Sequence, residues 1–211
     1  MDQSMKPATP LALCTLLLIS LLLHKTLMYR DELEAALEGA SMANKTDTDV
    51  LWLGNPFPRL TLNETIDLQI SVDRFDGNQW SQTNPINTGF YMIKSNNKTI
   101  KLFDEGYGQR NNSTGKKEQD VLFELMQKGA FNRLRLRVRF LDTNYFSGFC
   151  QDSRDFNVVS TVHANCCRST KAKVTDLMAV IHDWKRFKDP SRNKTMEDRW
   201  SIHVACQNSW I

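Results

Sequence analysis

Ile66, Leu68, Ile70 and Val72 alternate with Asp67, Gln69, Ser71 and Asp73. This period of two predicts a strand over 66–73 with one apolar and one polar face. GFYMI at 89–93 reads as a short buried strand. Ser95 or Asn96 can cap a helix after it that turns Ile100, Phe103 and Tyr107 inward. Lys116–Lys128 reads as a second helix, with Val121, Leu122, Leu125 and Met126 as its stripe and Gly129 as its stop. In RLRLRVRF, 133–140, arginine alternates with apolar residues, which favours a strand with one solvated face over a phosphate-binding surface. Val158–His163 reads as another strand. Lys171–Lys188 is the clearest helix, with Val174, Leu177, Met178, Ile181, Trp184 and Phe187 on one side. Strands alternating with helices predict an α/β sheet. In such sheets ligands sit at the carboxyl ends of strands.

Outside this region the pattern changes. Leu11–Leu23, LALCTLLLISLLL, approaches with its flanks the ~20 residues that cross a bilayer. His24 and Lys25 follow where a cleavage site wants small side chains, so a retained signal anchor is the expectation. The chain then divides into a cytoplasmic tail and anchor (1–28), a stem helix built on RDELEAALE (29–46), a main domain (47–190) and a polar tail (191–211). Asn-x-Ser/Thr triplets begin at Asn44, Asn63, Asn97, Asn111, Asn112 and Asn193, which favours a lumenal body. Cys150, Cys166, Cys167 and Cys206 form an even set able to make disulfides in an oxidising compartment, with buried free thiols as the alternative. The 211 residues suffice for one real core. A net charge of +3 is too small to argue for a nucleic-acid partner, and none is expected.

The candidate chemistry lies in acids, a histidine and lysines. Asp47 and Asp49 sit one residue apart at the head of the apolar run VLWL, and His163 ends a predicted strand. Mg²⁺ and Mn²⁺ take carboxylate oxygen, and Mn²⁺ also accepts imidazole, so these three are candidate metal ligands. Lys171 and Lys173, just beyond His163 at a helix start, can donate to phosphate oxygens. A cysteine nucleophile paired with His163 is a competing hydrolase reading.

The blocks DTDVLWLGNPFPRL, NTGFYMIKSNN, KEQDVL, RVRFLDTNYFSGFCQDSRDF and TVHANCC, followed by K-x-K-x-x-D-L, occur in this order from Asp47 to about Lys188. Together they resemble the plant nucleotide-diphospho-sugar transferase family, which is similar to arabinosyl- and xylosyltransferases of the Golgi. The resemblance implies a partial GT-A (Rossmann-like) sheet with flanking helices, here behind an N-terminal membrane helix, in a single-pass type II Golgi protein. It implies Asp47, Asp49 and His163 around a divalent cation, with Mn²⁺ the expected ion. Asn87, Thr88 and Gly89 would line the donor side, with Lys171 or Lys173 near the phosphates and Gln119 and Asp120 near the reacting sugar. The implied reaction moves a sugar from a UDP-linked donor to a hydroxyl of a glycan or glycoprotein, with retention at the anomeric carbon. Asn87 as a turn residue and Asp120 as the cap of its own helix are the competing structural readings.

One stretch departs from the family. Only 23 residues separate Leu23 from Asp47, fewer than one βαβ element of about 30. Ala43–Thr46 also lacks the apolar character of a buried strand that would project the two acids. An internal segment carrying the nucleotide-binding half is therefore expected to be missing, with weak or absent transfer as the result. A non-catalytic lumenal protein that binds a full-length transferase is the alternative.

Overall fold

A computed structural model describes residues 42–192 and 198–211. The expected anchor and stem helix lie outside the described residues. Among those described, no helix is long and apolar enough to cross a membrane.

The architecture is mixed α/β, as the pattern predicts, and is built on two sheets. The first has the order β1 (Met42–Thr46), β4 (Ile86–Lys94), β3 (Leu68–Val72), β5 (Val138–Phe140). Its β3–β5 pair is parallel and the other two pairs are antiparallel. The second has the order β2 (Val50–Trp52), β7 (Thr161–His163), β6 (Phe146–Gly148). Against the first sheet pack α1 (Asn97–Gly108), α2 (Glu118–Gln127) and the short α3 (Ala130–Arg133). Leu68, Ile70, Ile86, Leu102, Leu125, Phe131 and Phe140 make the centre of that core, all almost fully buried. Each such side chain contributes about 1.5–3 kcal/mol by leaving water.

Four expectations need correction, each for a physical reason. Ala43–Thr46 does form a strand, paired in register with β4 from Met42↔Lys94 to Thr46↔Phe90. At the end of a sheet a strand needs no apolar run, because its ladder supplies the order and its outward residues Asn44 and Thr46 stay exposed. In α1 the stripe Ile100, Phe103 and Tyr107 is exposed, while Thr99 and Leu102 are buried. The cap sets this rotation: Asn96 accepts from the N–H groups of Lys98 and Thr99, and the Thr99 hydroxyl donates to the Lys94 carbonyl at 2.7 Å.

In RLRLRVRF only Val138–Phe140 is a strand, because Ala130–Arg133 continues as helix and Arg135 turns with φ 53°. The Arg139 guanidinium is held by Gln79, Gln69 and the Arg59 carbonyl rather than by solvent. Finally, α4 (Thr170–Lys188) exposes Val174 and Met178 and buries Ala172, Asp176, Val180 and Asp183. Asp176 accepts from the N–H groups of Ala205 and Cys206, and Asp183 from that of Ser201. The helix has turned its acids towards the C-terminal segment, whose backbone would otherwise be unpaired.

That segment, for which the sequence offered no assignment, contains α5 (Val204–Asn208) and is tied down by the Cys167–Cys206 disulfide. The second disulfide joins Cys150 to Cys166. Cys150, Cys166, Cys167 and Cys206 are therefore all oxidised, so the free-thiol alternative and the cysteine-nucleophile reading both fall.

The polar face of β3 is buried as well. Asp67 pairs with Lys98 and accepts the Arg137 N–H, and Gln69 exchanges two bonds with the Thr61 backbone. Ser71 does more. The β3–β4 ladder jumps between Ile70↔Tyr91 and Ser71↔Asn87, so Thr88, Gly89 and Phe90 are looped out of it. The Ser71 hydroxyl closes the bulge: it lies 2.8 Å from the Phe90 carbonyl and accepts the Phe90 N–H at 3.2 Å. Ser71→Ala leaves that buried backbone unpaired and should cost about 1–3 kcal/mol, read as a lower urea midpoint with an unchanged slope.

Candidate metal and donor site

The segment Asp47–Thr48–Asp49 is the crossing from one sheet to the other. Asp47 extends the β1–β4 ladder, its N–H donating to the Gly89 carbonyl at 2.8 Å. Asp49 extends the β2–β7 ladder, where Val50 pairs with His163 and the Asp49 carbonyl accepts the Ala164 N–H at 3.0 Å. Backbone pairing in two different sheets thus delivers both acids and the histidine to one point. One oxygen of each carboxylate and one imidazole nitrogen lie within 4.8 Å of one another, among half-buried side chains.

The tautomer of His163 follows from its neighbours. The Asn87 side chain donates its amide N–H to Asp73 Oδ1 at 2.6 Å, and its Oδ1 accepts the Gly89 N–H at 2.7 Å. That same Oδ1 lies 2.9 Å from His163 Nδ1, so Nδ1 is the protonated nitrogen. Nε2 then faces Asp49 Oδ1 at 3.3 Å. In that tautomer Nε2 and the Asp49 carboxylate present lone pairs to the same point, as two ligands of one cation would. The donor set of two carboxylates and one oriented imidazole fits a hard or borderline divalent cation.

Two lysines balance the acids. Lys173, in the first turn of α4, contacts Asp49 Oδ2 at 2.6 Å. Burial works against the Asp49 charge, but the hydrogen bonds and charges of His163 and Lys173 outweigh it and hold the carboxyl far below its usual range. Lys45, on β1, lies 2.8 Å from Asp47 and 3.0 Å from Glu118, and donates to the Thr88 carbonyl. Burial would lower its pKa, yet the two carboxylates raise it, and the bond from Lys45 lowers that of Glu118.

Gln119 also belongs to the cluster: its Oε1 accepts the Thr88 N–H at 3.2 Å and its Nε2 reaches Asp73 Oδ2 at 3.4 Å. Asp120 does not join it. Its carboxylate accepts the Lys117 N–H at 2.9 Å and so caps its own helix. Lys171 is exposed and its side chain has no hydrogen bond or ion pair among the described residues.

Three residues at the centre escape a reading of motifs. Asp73 receives Asn87, Gln119 and, at 2.9 Å, the amide of Asn165. Its signal was its place one residue past the carboxyl end of β3, where ligands of α/β sheets gather. Asn165 and Lys45 carry no comparable signal, because each arrives through long-range pairing.

Two glycines leave the room this arrangement needs. A Cβ on Gly89 would stand 2.3 Å from the His163 ring, and one on Gly148 would stand 2.5 Å from Asn165 Oδ1. Gly89→Ala should therefore displace His163 and weaken any divalent-cation binding at this cluster by about 10–100-fold, the cost of disturbing the shell behind a ligand. Calorimetric Mn²⁺ titration beside a thermal melt checks this, the melting transition remaining cooperative.

The surroundings of this geometry are found in known proteins. The nucleotide-diphospho-sugar transferase family matches residues 45–177, which include the whole cluster. An uncharacterised protein of Arabidopsis thaliana is 55% identical over 166 residues, 78% of this chain and 47% of that protein. A second from the same plant is 38% identical over 158 residues, 74% of this chain and 42% of the relative. The chain thus spans about half the length of the curated relatives it matches. Among solved structures, a glycosyltransferase involved in glycosylating the major capsid of the virus PBCV-1 aligns with 73% of this chain and 74% of its own. Its TM-score is 0.46 at 16% identity. On the family match across most of the described sheet and every ligand of the cluster, this chain belongs to the nucleotide-diphospho-sugar transferase family.

Proposed function

We propose that this chain carries the metal and diphosphate side of a glycosyltransferase site, moving a sugar from a UDP-linked donor to a hydroxyl of a glycan or glycoprotein. The observation that carries the reading is the convergence of Asp47, Asp49 and His163 within 4.8 Å, with the imidazole aimed by Asn87. A divalent cation bound there, with Mn²⁺ the proposed ion, supplies Lewis acidity to the leaving diphosphate.

The chain's own groups do the remaining work. Asp47 and Asp49 provide hard oxygen ligands, and His163 adds a nitrogen held in one tautomer. Lys173 lies against Asp49 and is placed to turn an ammonium to phosphate oxygens once a cation takes that carboxylate. Thr88, Gln119 and Asp73 form a hydrogen-bonded rim beside the bulge, the kind of fixed polar edge that orients sugar hydroxyls. Asp73 joins the proposed donor residues Asn87, Thr88, Gly89, Gln119 and Lys173. The caps and contacts of Asp120 and Lys171 favour structural and solvated roles for them.

The proposed location is the Golgi membrane, by a single N-terminal anchor. The apolar run Leu11–Leu23 and the glycosylation triplets support it, and two disulfides fit an oxidising lumen.

Asp49→Asn tests the reading. The substitution keeps the shape but removes one anionic ligand, and Mn²⁺ affinity should fall by at least about tenfold, with Mn²⁺-dependent UDP binding falling alongside. Unchanged Mn²⁺ affinity would sink the metal site. Intact metal binding without sugar transfer selects the non-catalytic, partner-binding role for a chain half the length of its relatives.

A further inference from the structure

Beside the metal cluster runs a cleft of about 340 Å³ that no part of the proposed donor site uses. Arg74, Phe149, His203, Gln207 and Trp210 line it, together with the Cys150–Cys166 disulfide. The cleft is tied to the cluster's surroundings by the chain and by hydrogen bonds. Arg74 follows Asp73 directly in the chain. Asn165 donates to Asp73 at 2.9 Å while its Oδ1 accepts the Cys150 N–H at 3.1 Å. The opposite side is built by the C-terminal segment, which the Cys167–Cys206 disulfide and Asp176 hold in place.

The chemistry of the lining is specific. Trp210 is 52% exposed although its ring is held in place. Its indole N–H donates to the Cys166 carbonyl at 2.9 Å, and the Arg168 guanidinium covers one face at 4.2 Å. The Arg74 side chain is exposed and has no hydrogen bond or ion pair among the described residues. His203 is 6% exposed, stacks on Phe149 with ring centroids 3.8 Å apart, and bonds Asp152 through Nε2 at 2.9 Å. Its buried Nδ1 has no partner among the described residues, a condition that native cores avoid outside functional sites.

We infer that this cleft binds the sugar acceptor, with a pyranose ring stacked on Trp210 and a carboxylate of that sugar held by Arg74. The inference rests on the transferase reading above and deepens it. A rigid indole presents an apolar face to the C–H side of a sugar ring, while a planar guanidinium and the Gln207 amide take its polar edge. Arg74 in the lining and Arg168 on the face of Trp210 bring two guanidinium groups here, while Asp152 is bonded to His203 and Asp73 to the amides of Asn87 and Asn165. The balance favours an acidic sugar over a neutral one. Asn165, bonded to Cys150 of the cleft and to Asp73 of the cluster's rim, links the proposed acceptor cleft to the donor side, as transfer between them requires.

Titration of the ¹⁵N-labelled chain with cellobiouronic acid and with cellobiose tests this, since the two differ by one carboxylate. The Trp210 indole signal, assigned with Trp210→Phe, should move saturably with the acid at about 10 mM or below. Arg74→Ala should weaken that binding by at least about tenfold, and cellobiose should bind at least about threefold more weakly than the acid. A Trp210 signal that stays still, an Arg74→Ala chain that binds as tightly, or equal affinity for the two disaccharides overturns the inference. Mn²⁺ titration of the same sample keeps the two readings apart. Intact metal binding with a silent Trp210 removes the acceptor cleft alone, whereas loss of metal binding removes the reading on which it rests.

Discussion

His163 lies against the backbone of Gly89, and the rest of the site depends on that contact. The imidazole belongs to the second sheet and the glycine to the first, so their approach fixes the distance between the two. Any side chain at position 89 would occupy the space of the ring. With the ring in place, Nδ1 meets Asn87, Nε2 meets Asp49, and the crossing at Asp47–Asp49 is short enough to join both ladders. Phe90 beside it packs on Phe146 with centroids 5.0 Å apart, closing the seam with apolar area. Only a void of about 10 Å³ is left there, lined in part by Ser71, Asn87, His163 and Asn165.

The bulge in β4 explains why the motif Asn87–Thr88–Gly89 can serve two masters. Residues looped out of the β3 ladder still pair with β1 and Asp47 on their other edge. They present side chains and backbone donors to the site without breaking the sheet. Ser71 makes this possible by bonding both the carbonyl and the N–H of Phe90. A hydroxyl on the polar face of the alternating strand is a component of the site's frame.

The polar residues of the helices follow one logic. Asn96 and Thr99 rotate α1 so that its larger apolar residues face outward, and Asp176 and Asp183 rotate α4 towards the C-terminal segment. In each case a buried hydrogen bond to backbone outweighs the placement of apolar groups. Leaving a buried donor or acceptor unmade costs about 1–3 kcal/mol, comparable to burying a whole Leu or Met side chain. This is why apolar periodicity located both helices correctly but missed the buried face of α1 and placed only part of that of α4, where Trp184 and Phe187 do pack inward while Val174 and Met178 are exposed.

Local patterning by itself determined that strands lie near 66–73, 89–93 and 158–163 and that helices follow near 97, 118 and 171, while the ordered family motifs singled out Asp47, Asp49 and His163, which the fold brings together. These features are written in nearest-neighbour periods and in motif order, which a chain displays before it folds. The cysteine count allowed three pairings, and geometry chose Cys150–Cys166 and Cys167–Cys206. Only the tertiary structure decided that polar Met42–Thr46 is a strand, that Asp120 caps a helix while Asp73 joins the site, and that Lys45 bridges Asp47 to Glu118. Apart from the local cap of Asp120 on Lys117 and the Lys45–Asp47 pair, those outcomes depend on distant partners, 73 positions from Lys45 to Glu118 and 92 from Asn165 to Asp73, and no local period encodes a partner at that distance.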